Sequence, residues 1–151
     1  MQLLPYSTLD LQINLLPKEI DILLHCEGQS SVLNSFEFQS EFKSYNFKII
    51  KKIKKMVLQS SKRVHVIFPS SAAVYGQNDS YNLEEQSDLK PVSPYGVEKA
   101  YFEDSLKTFS FNHSIQCSII RFFSLFGPSN KKQLIWEAYC RLKSSEKPIF
   151  F

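Results

Sequence analysis

Glycine is scarce in this chain: Gly28, Gly76, Gly96 and Gly127 are the four in 151 residues, and no two lie close together. The scarcity excludes from these residues a glycine-rich turn that cradles a dinucleotide pyrophosphate at a helix N-terminus. Cysteine is scarce too. Cys26, Cys117 and Cys140 are odd in number, far apart and in no C-x-x-C pattern, so they read as reduced thiols and not as a disulfide framework. His25, His65 and His113 are scattered, and no zinc site is expected. No apolar run approaches the roughly 20 residues of a membrane span. The opening "MQLLPYSTLDLQINLLP" is apolar, but Pro5 and Asp10 interrupt it and it has no basic n-region. No secretory signal is read, so a cytoplasmic location is expected. The net charge of +3 is too small to imply a nucleic-acid partner by itself.

What is present suits one soluble globular domain. Apolar residues make up 43% and charged residues 22%, both ordinary proportions, and the length allows a real core. "DILLHC" (21–26), "VHVIF" (64–68) and a segment within "IQCSIIRFF" (115–123) read as strands. Between the first two, "SYNFKIIKKIKKMVLQSS" has helical spacing, with Ile49, Ile50, Ile53, Met56 and Val57 on one face. Lys48, Lys51, Lys52, Lys54 and Lys55 are expected opposite. A polar loop leads to a second helix, whose Ala100, Phe102, Leu106 and Phe109 can pack inward, and a last helix is expected over about Lys132 to Leu142. Alternating strands and helices predict an α/β fold with parallel strands and right-handed crossovers. Ligands of such sheets bind beyond the carboxyl ends of the strands. The positions to watch are therefore "CEGQSS", "PSSAAVYG" and "SLFGPSN".

The second helix opens with chemistry. Ser93 is a good N-cap, Pro94 suits the first helical position, and Tyr95 and Lys99 then share a face at i and i+4. An ammonium near a phenol favours phenolate. With Ser70 and Ser71 at the end of the preceding strand, the three residue types form a proton-handling group. The spacing alone is weak, since Tyr139 and Lys143 repeat it without a comparable serine.

"SSAAVYG" (70–76), "SPYGVEKAYFE" (93–103) and "IIRFFSLFGP" (119–128), in that order, resemble the extended short-chain dehydrogenase/reductase family. The closer resemblance is to its NAD(P)-dependent sugar-nucleotide epimerases and dehydratases. "DILLHCEGQSSV" (21–32) and "LEEQSDLKPVSPYG" add two further matching segments. The resemblance implies a partial Rossmann-like, doubly wound parallel sheet over 1–151, lacking the first βαβ elements and the C-terminal substrate domain. It also implies hydride chemistry on a nucleotide-linked sugar with NAD or NADP. Tyr95 is then the base, Lys99 tunes Tyr95 and binds the nicotinamide ribose, and Ser71 holds the reacting hydroxyl. Cys26, Glu27 and Gly28 match the turn that passes the cofactor, Asn46 an asparagine near the nicotinamide half, and Phe123 a residue beside the ring. Ser70 joins the cofactor-binding set. Ser124 stands at a substrate position where the family has asparagine. Ala72 and Ala73 replace the Asp–Glu pair of the dehydratases, which favours epimerase-like or reductase-like chemistry.

Departures accompany the match. Glu27 brings a carboxylate toward an anionic cofactor, Pro69 removes a donor from a central strand, and Lys48–Ile49 replace a Gly–Thr pair. Without pyrophosphate and adenosine contacts, a nicotinamide half-site keeps a few hydrogen bonds worth about 1 kcal/mol each. Weak or undetectable binding by this chain alone is therefore expected. The alternative reading is a non-catalytic remnant that binds a protein partner, or itself, through an exposed sheet edge. The lysine-rich run at 43–63 reads as a solvated helix face, so neither nucleic acid nor membrane is expected as a partner. Arg121 is expected to be ion-paired, and Phe109, Phe111, Phe122 and Phe126 to belong to the core.

Overall fold

The computed structural model describes residues 18–28, 32–37, 39–78, 82–128, 130–131 and 133–144. The apolar opening stretch and residues 29–31 of the first turn lie outside the described residues. Strand β1 (Ile22–Leu24) is followed by helices α1 (Val32–Glu37) and α2 (Gln39–Gln59), then strand β2 (His65–Ser71). A 3-10 turn (Ala72–Val74) leads through a loop to helix α3 (Pro94–His113), strand β3 (Gln116–Phe122) and helix α4 (Gln133–Lys143). The strands form a parallel sheet in the order β1-β2-β3. β1 pairs with β2 by setting Ile22 opposite His65, Leu23 opposite Val66 and Leu24 opposite Ile67. The expected α/β fold is what the chain adopts.

The core lies where α2 and α3 cover one face of the sheet. β2 alternates strictly, so Val66, Phe68 and Ser70 point inward between less buried neighbours. They meet Leu23 of β1, Ile49, Ile50, Ile53 and Val57 of α2, and Phe102, Leu106 and Phe109 of α3. Each such side chain contributes about 1.5–3 kcal/mol on burial. The apolar stripe of α2 falls where the spacing predicts, with Met56 only partly buried. Lys54 departs from the expected solvated face. Its Nζ donates to Ser105 Oγ at 2.8 Å and lies 5.5 Å from the centroid of the Phe109 ring. The long stem lets it reach back across the α2–α3 contact.

The core assignment for three of the aromatics is corrected. Phe109 is buried, but Phe111 is 87% exposed, Phe126 75% and Phe122 37%. Phe111 lies two positions past Phe109 on one helix, which turns it to the opposite face. Phe126 follows β3 in an exposed loop.

Pro69 sits in the central strand, as the sequence indicates. The ladder to β1 ends at Ile67 and asks no donor of Pro69, and His25 N–H closes that end by donating to the Ile67 carbonyl at 3.0 Å. Two compact units emerge, Met1–Arg121 and Phe122–Phe151. In the second, α4 carries an i, i+4 pair of Arg141 with Glu137. Its Trp136 and Tyr139 rings are 5.7 Å apart. Among the described residues, no helix is long and apolar enough to cross a membrane.

Candidate active site

The N-terminus of α3 is built as the sequence indicates. Ser93 is extended (φ −123°, ψ 150°), and its Oγ accepts from Gly96 N–H at 3.1 Å. Pro94 occupies the first turn, where its missing N–H is no loss. The next free donor, Tyr95 N–H, is taken by Ser35 Oγ at 3.1 Å, and Ser35 itself donates to the Val32 carbonyl. Ser35 thus ties α1 to the helix start. Gly96 allows close docking, because a Cβ there would lie 2.5 Å from the Ala73 carbonyl oxygen and 3.0 Å from Pro91 Cβ. Gly76, at φ +55°, pairs with Lys90 just before this helix, and a Cβ there would overlap the Lys90 carbonyl. These contacts set where Tyr95 stands relative to the end of β2.

Tyr95 and Lys99 line one crevice with Glu27, Gly28 and Asn46, over a floor of His25, Phe68 and Phe102 beside Glu98. Lys99 Nζ donates to the Pro69 carbonyl at 2.9 Å. It lies 4.7 Å from the Phe68 ring centroid and 5.8 Å from that of Tyr95. Burial pushes the Lys99 amine below its usual range, against the opposing pull of Cys26 and Glu103. Asn46 Nδ2 donates to Glu98 Oε2 at 3.4 Å, and the Tyr45 hydroxyl donates to Glu27 Oε1 at 2.9 Å. The floor is a stack. His25 lies nearly parallel to Phe68 and Phe102, with centroids 5.9 and 5.8 Å away. Burial drives the His25 imidazole down to about 4, helped by the Lys99 charge and opposed by Glu27.

Ser70, Ser71 and Cys26 lie outside the crevice lining. Ser71 ends β2 in an extended conformation, and its Oγ caps the 3-10 turn by accepting from Ala73 N–H at 3.2 Å. A hydroxyl used as an acceptor still has its own hydrogen to donate. Ser70 points to the core and donates to Glu103 Oε1 at 2.6 Å. Cys26 is exposed on the turn after β1. Phe123 and Ser124, both exposed, fall in the second compact unit.

Three residues near the site are not singled out in the sequence. Ser35 carries no local signal, and His25 lies within the matching segment 21–32 but is assigned no role by it. Glu103 does carry one, because it continues the Tyr95–Lys99 face by a further four residues. Arg121 is ion-paired as expected, and Glu103 is its partner at 2.7 Å.

Comparison with known proteins gives a concordant picture. The model of the NAD dependent epimerase/dehydratase family matches residues 7–151. A putative UDP-glucose 4-epimerase of Methanocaldococcus jannaschii is 26% identical over 147 residues, covering 95% of this chain and 48% of its own length. A UDP-N-acetylglucosamine 4-epimerase from Methanobrevibacter ruminantium M1, solved with UDP-N-acetylmuramic acid, superposes with a TM-score of 0.86 at 26% identity. That superposition covers 97% of this chain and 48% of the epimerase. The dTDP-glucose 4,6-dehydratase DesIV of Streptomyces venezuelae, solved with NAD, gives a TM-score of 0.71 at 25% identity, over 83% of this chain and 39% of its own. The chain spans less than half the length of these relatives.

The donor set is chemically compatible with NAD(P), which carries hydroxyl and carboxamide groups. An ammonium, a phenol and a carboxamide from Lys99, Tyr95 and Asn46 face one crevice, with Gly28 at φ +146° and open space where its Cβ would be. The enclosed free volume is about 10 Å³, the room of one water.

Proposed function

The chain belongs to the NAD dependent epimerase/dehydratase family, and from that premise we propose that Tyr95 is the proton-transfer residue of a nucleotide-sugar epimerase. The observation that carries the reading is the shared placement of Tyr95 and Lys99 on one face of α3, in one crevice with Phe68 of β2 and with Glu27 and Gly28 of the turn after β1. NAD(P), when bound, supplies hydride acceptance and return. The remaining tasks belong to this chain.

Tyr95 takes the proton of a sugar hydroxyl as that carbon is oxidised and gives it back on reduction. Lys99 is held by the Pro69 carbonyl with its charge near the Tyr95 ring, where its ammonium can donate to ribose hydroxyls. Ser71, its acceptor side occupied by Ala73 N–H, donates its hydroxyl hydrogen to the reacting sugar oxygen. The alanines at 72 and 73 offer no carboxyl to catalyse loss of water, so epimerisation is favoured over dehydration. The sugar is carried as a uridine or related nucleotide, as in the relatives.

Interconversion of UDP-glucose and UDP-galactose in the presence of NAD tests this reading. Tyr95→Phe is expected to lower turnover by about a hundred- to ten-thousand-fold. Equal turnover in Tyr95→Phe and the wild type overturns the assignment. Two observations favour a second reading, a non-catalytic remnant: the crevice is narrow, and Glu27 brings a carboxylate into it. No turnover by the wild type at saturating NAD and sugar nucleotide supports that reading.

A further inference from the structure

We infer that Glu103 is a positioning residue for the Ser71 end of the site, acting through Ser70 and Arg121 and touching no ligand itself. The inference rests on the proposed function for its catalytic meaning, but its geometry stands alone. Glu103 is fully buried on α3, two helical turns past Tyr95. Its Oε1 accepts from Ser70 Oγ at 2.6 Å and from Arg121 Nε at 3.0 Å, and its Oε2 accepts from Arg121 Nη2 at 2.7 Å. Lys107 lies at the margin, 3.8 Å from Oε2. A buried ion pair is weak evidence of net stabilisation, and its best-attested use is to specify one arrangement among several.

The arrangement specified here is the end of β2. Lys99 holds the Pro69 carbonyl, and one turn later Glu103 holds the Ser70 side chain. Successive strand residues point to opposite faces, so fixing Ser70 inward fixes Ser71 outward. Ser71 then caps Ala73 N–H. Arg121 extends the same anchor. Its Nη1 donates to the Tyr75 hydroxyl and to the Glu85 carbonyl, each at 2.8 Å, and Tyr75 donates on to the Glu84 carbonyl at 3.0 Å. One carboxylate thereby ties the last residues of β2, the segment after the 3-10 turn and the acidic loop to α3. That helix also carries Tyr95 and Lys99, so all three proposed catalytic groups share one frame.

Amide hydrogen exchange of the full chain, read by NMR, tests the inference without requiring turnover. In Ser70→Ala, the Ala73 amide is expected to exchange about tenfold faster, the effect of losing a hydrogen bond. The Val66 and Leu106 amides, in the cores of β2 and α3, are expected to keep wild-type rates. Glu103→Gln is expected to reproduce the change at Ala73, and Ser70→Thr, which keeps the hydroxyl, to restore protection. Unchanged Ala73 exchange in Ser70→Ala overturns the inference. So does an equal rise at Ala73, Val66 and Leu106, which marks a purely stabilising role. Should Glu103→Gln not fold, Ser70→Ala decides alone. An inactive wild type with a responsive Ala73 would sink the proposed function and leave this role standing, and the reverse pattern would do the opposite.

Discussion

Arg121→Ala is expected to destabilise the fold by about 3–5 kcal/mol, because it leaves the Glu103 carboxylate buried without its cation. Glu103 is fully buried, and Arg121 reaches it through three hydrogen bonds from two nitrogens. Burial alone would raise the Glu103 carboxyl above its usual range, but the bonds from Arg121 and Ser70 outweigh it and hold the group below. The same contacts raise the Arg121 guanidinium. Removing the guanidinium leaves the burial penalty and takes most of the compensation, and it also removes the hydrogen bonds that Arg121 donates to the Tyr75 hydroxyl and the Glu85 carbonyl. Urea denaturation at neutral pH checks this through the midpoint. The double variant Arg121→Met with Glu103→Leu is expected to recover much of the loss, because apolar side chains of similar volume substitute well for buried pairs. A loss below about 1 kcal/mol for the single variant, the range of a surface pair, contradicts the picture.

Acid is expected to weaken the fold in a window set by His25. Its folded-state value is about 4 against an ordinary 6.5, so the folded protein holds the ring neutral while the unfolded chain protonates it. Stability from this group is therefore complete above about pH 6.5 and is lost as pH falls toward 4. The shift corresponds to about 3 kcal/mol. The physical cause is burial: protonation places a charge against Phe68 and Phe102, within reach of the Lys99 ammonium, with Glu27 opposing. Glu103 adds a second loss in more acid solution, as its lowered carboxyl protonates. Denaturant midpoints followed from pH 7 to 4 measure the first effect. His25→Phe, which keeps an aromatic ring in the stack, is expected to flatten that dependence. An equally steep dependence in the variant would assign it elsewhere.

Much of this fold is legible in the sequence, and the reasons are local. The lysine-backed isoleucine stripe of α2 and the Ser93–Pro94 start of α3 are patterns of neighbouring residues, and the structure reproduces both. β2 reads as a strand from its β-branched run and continues three residues beyond it, because Lys99 and Glu103 hold Pro69 and Ser70. Helix α1 is not legible. Its six residues are too few for a periodic signal, and Ser35 matters only because Tyr95 N–H reaches it from 60 positions away. The pairing of Glu103 with Arg121 is likewise long-range, so the sequence indicates an ion pair without its partner. Phe111 and Phe126 mislead because aromatic character predicts burial, whereas helix phase and loop position put both outside.

At the candidate site, Tyr95, Lys99, Asn46, Glu27 and Gly28 do come together, which motif order anticipates. The inward turn of Ser70 follows from strand alternation, once Val66 and Phe68 are seen to face the core. The occupation of Glu27 by Tyr45 and of Asn46 by Glu98 has no sequence signal, because each depends on how α2 sits against its neighbours.

Saturation-transfer NMR with NADH tests most directly whether this crevice is a nicotinamide half-site. It detects binding as weak as the millimolar range, which corresponds to about 4 kcal/mol. Lys99→Met provides the comparison. The account predicts saturation at the nicotinamide and adjoining ribose protons, weaker saturation at adenine, and loss of the nicotinamide signal in Lys99→Met. Saturation confined to adenine, or a nicotinamide signal of equal strength in Lys99→Met, would contradict it.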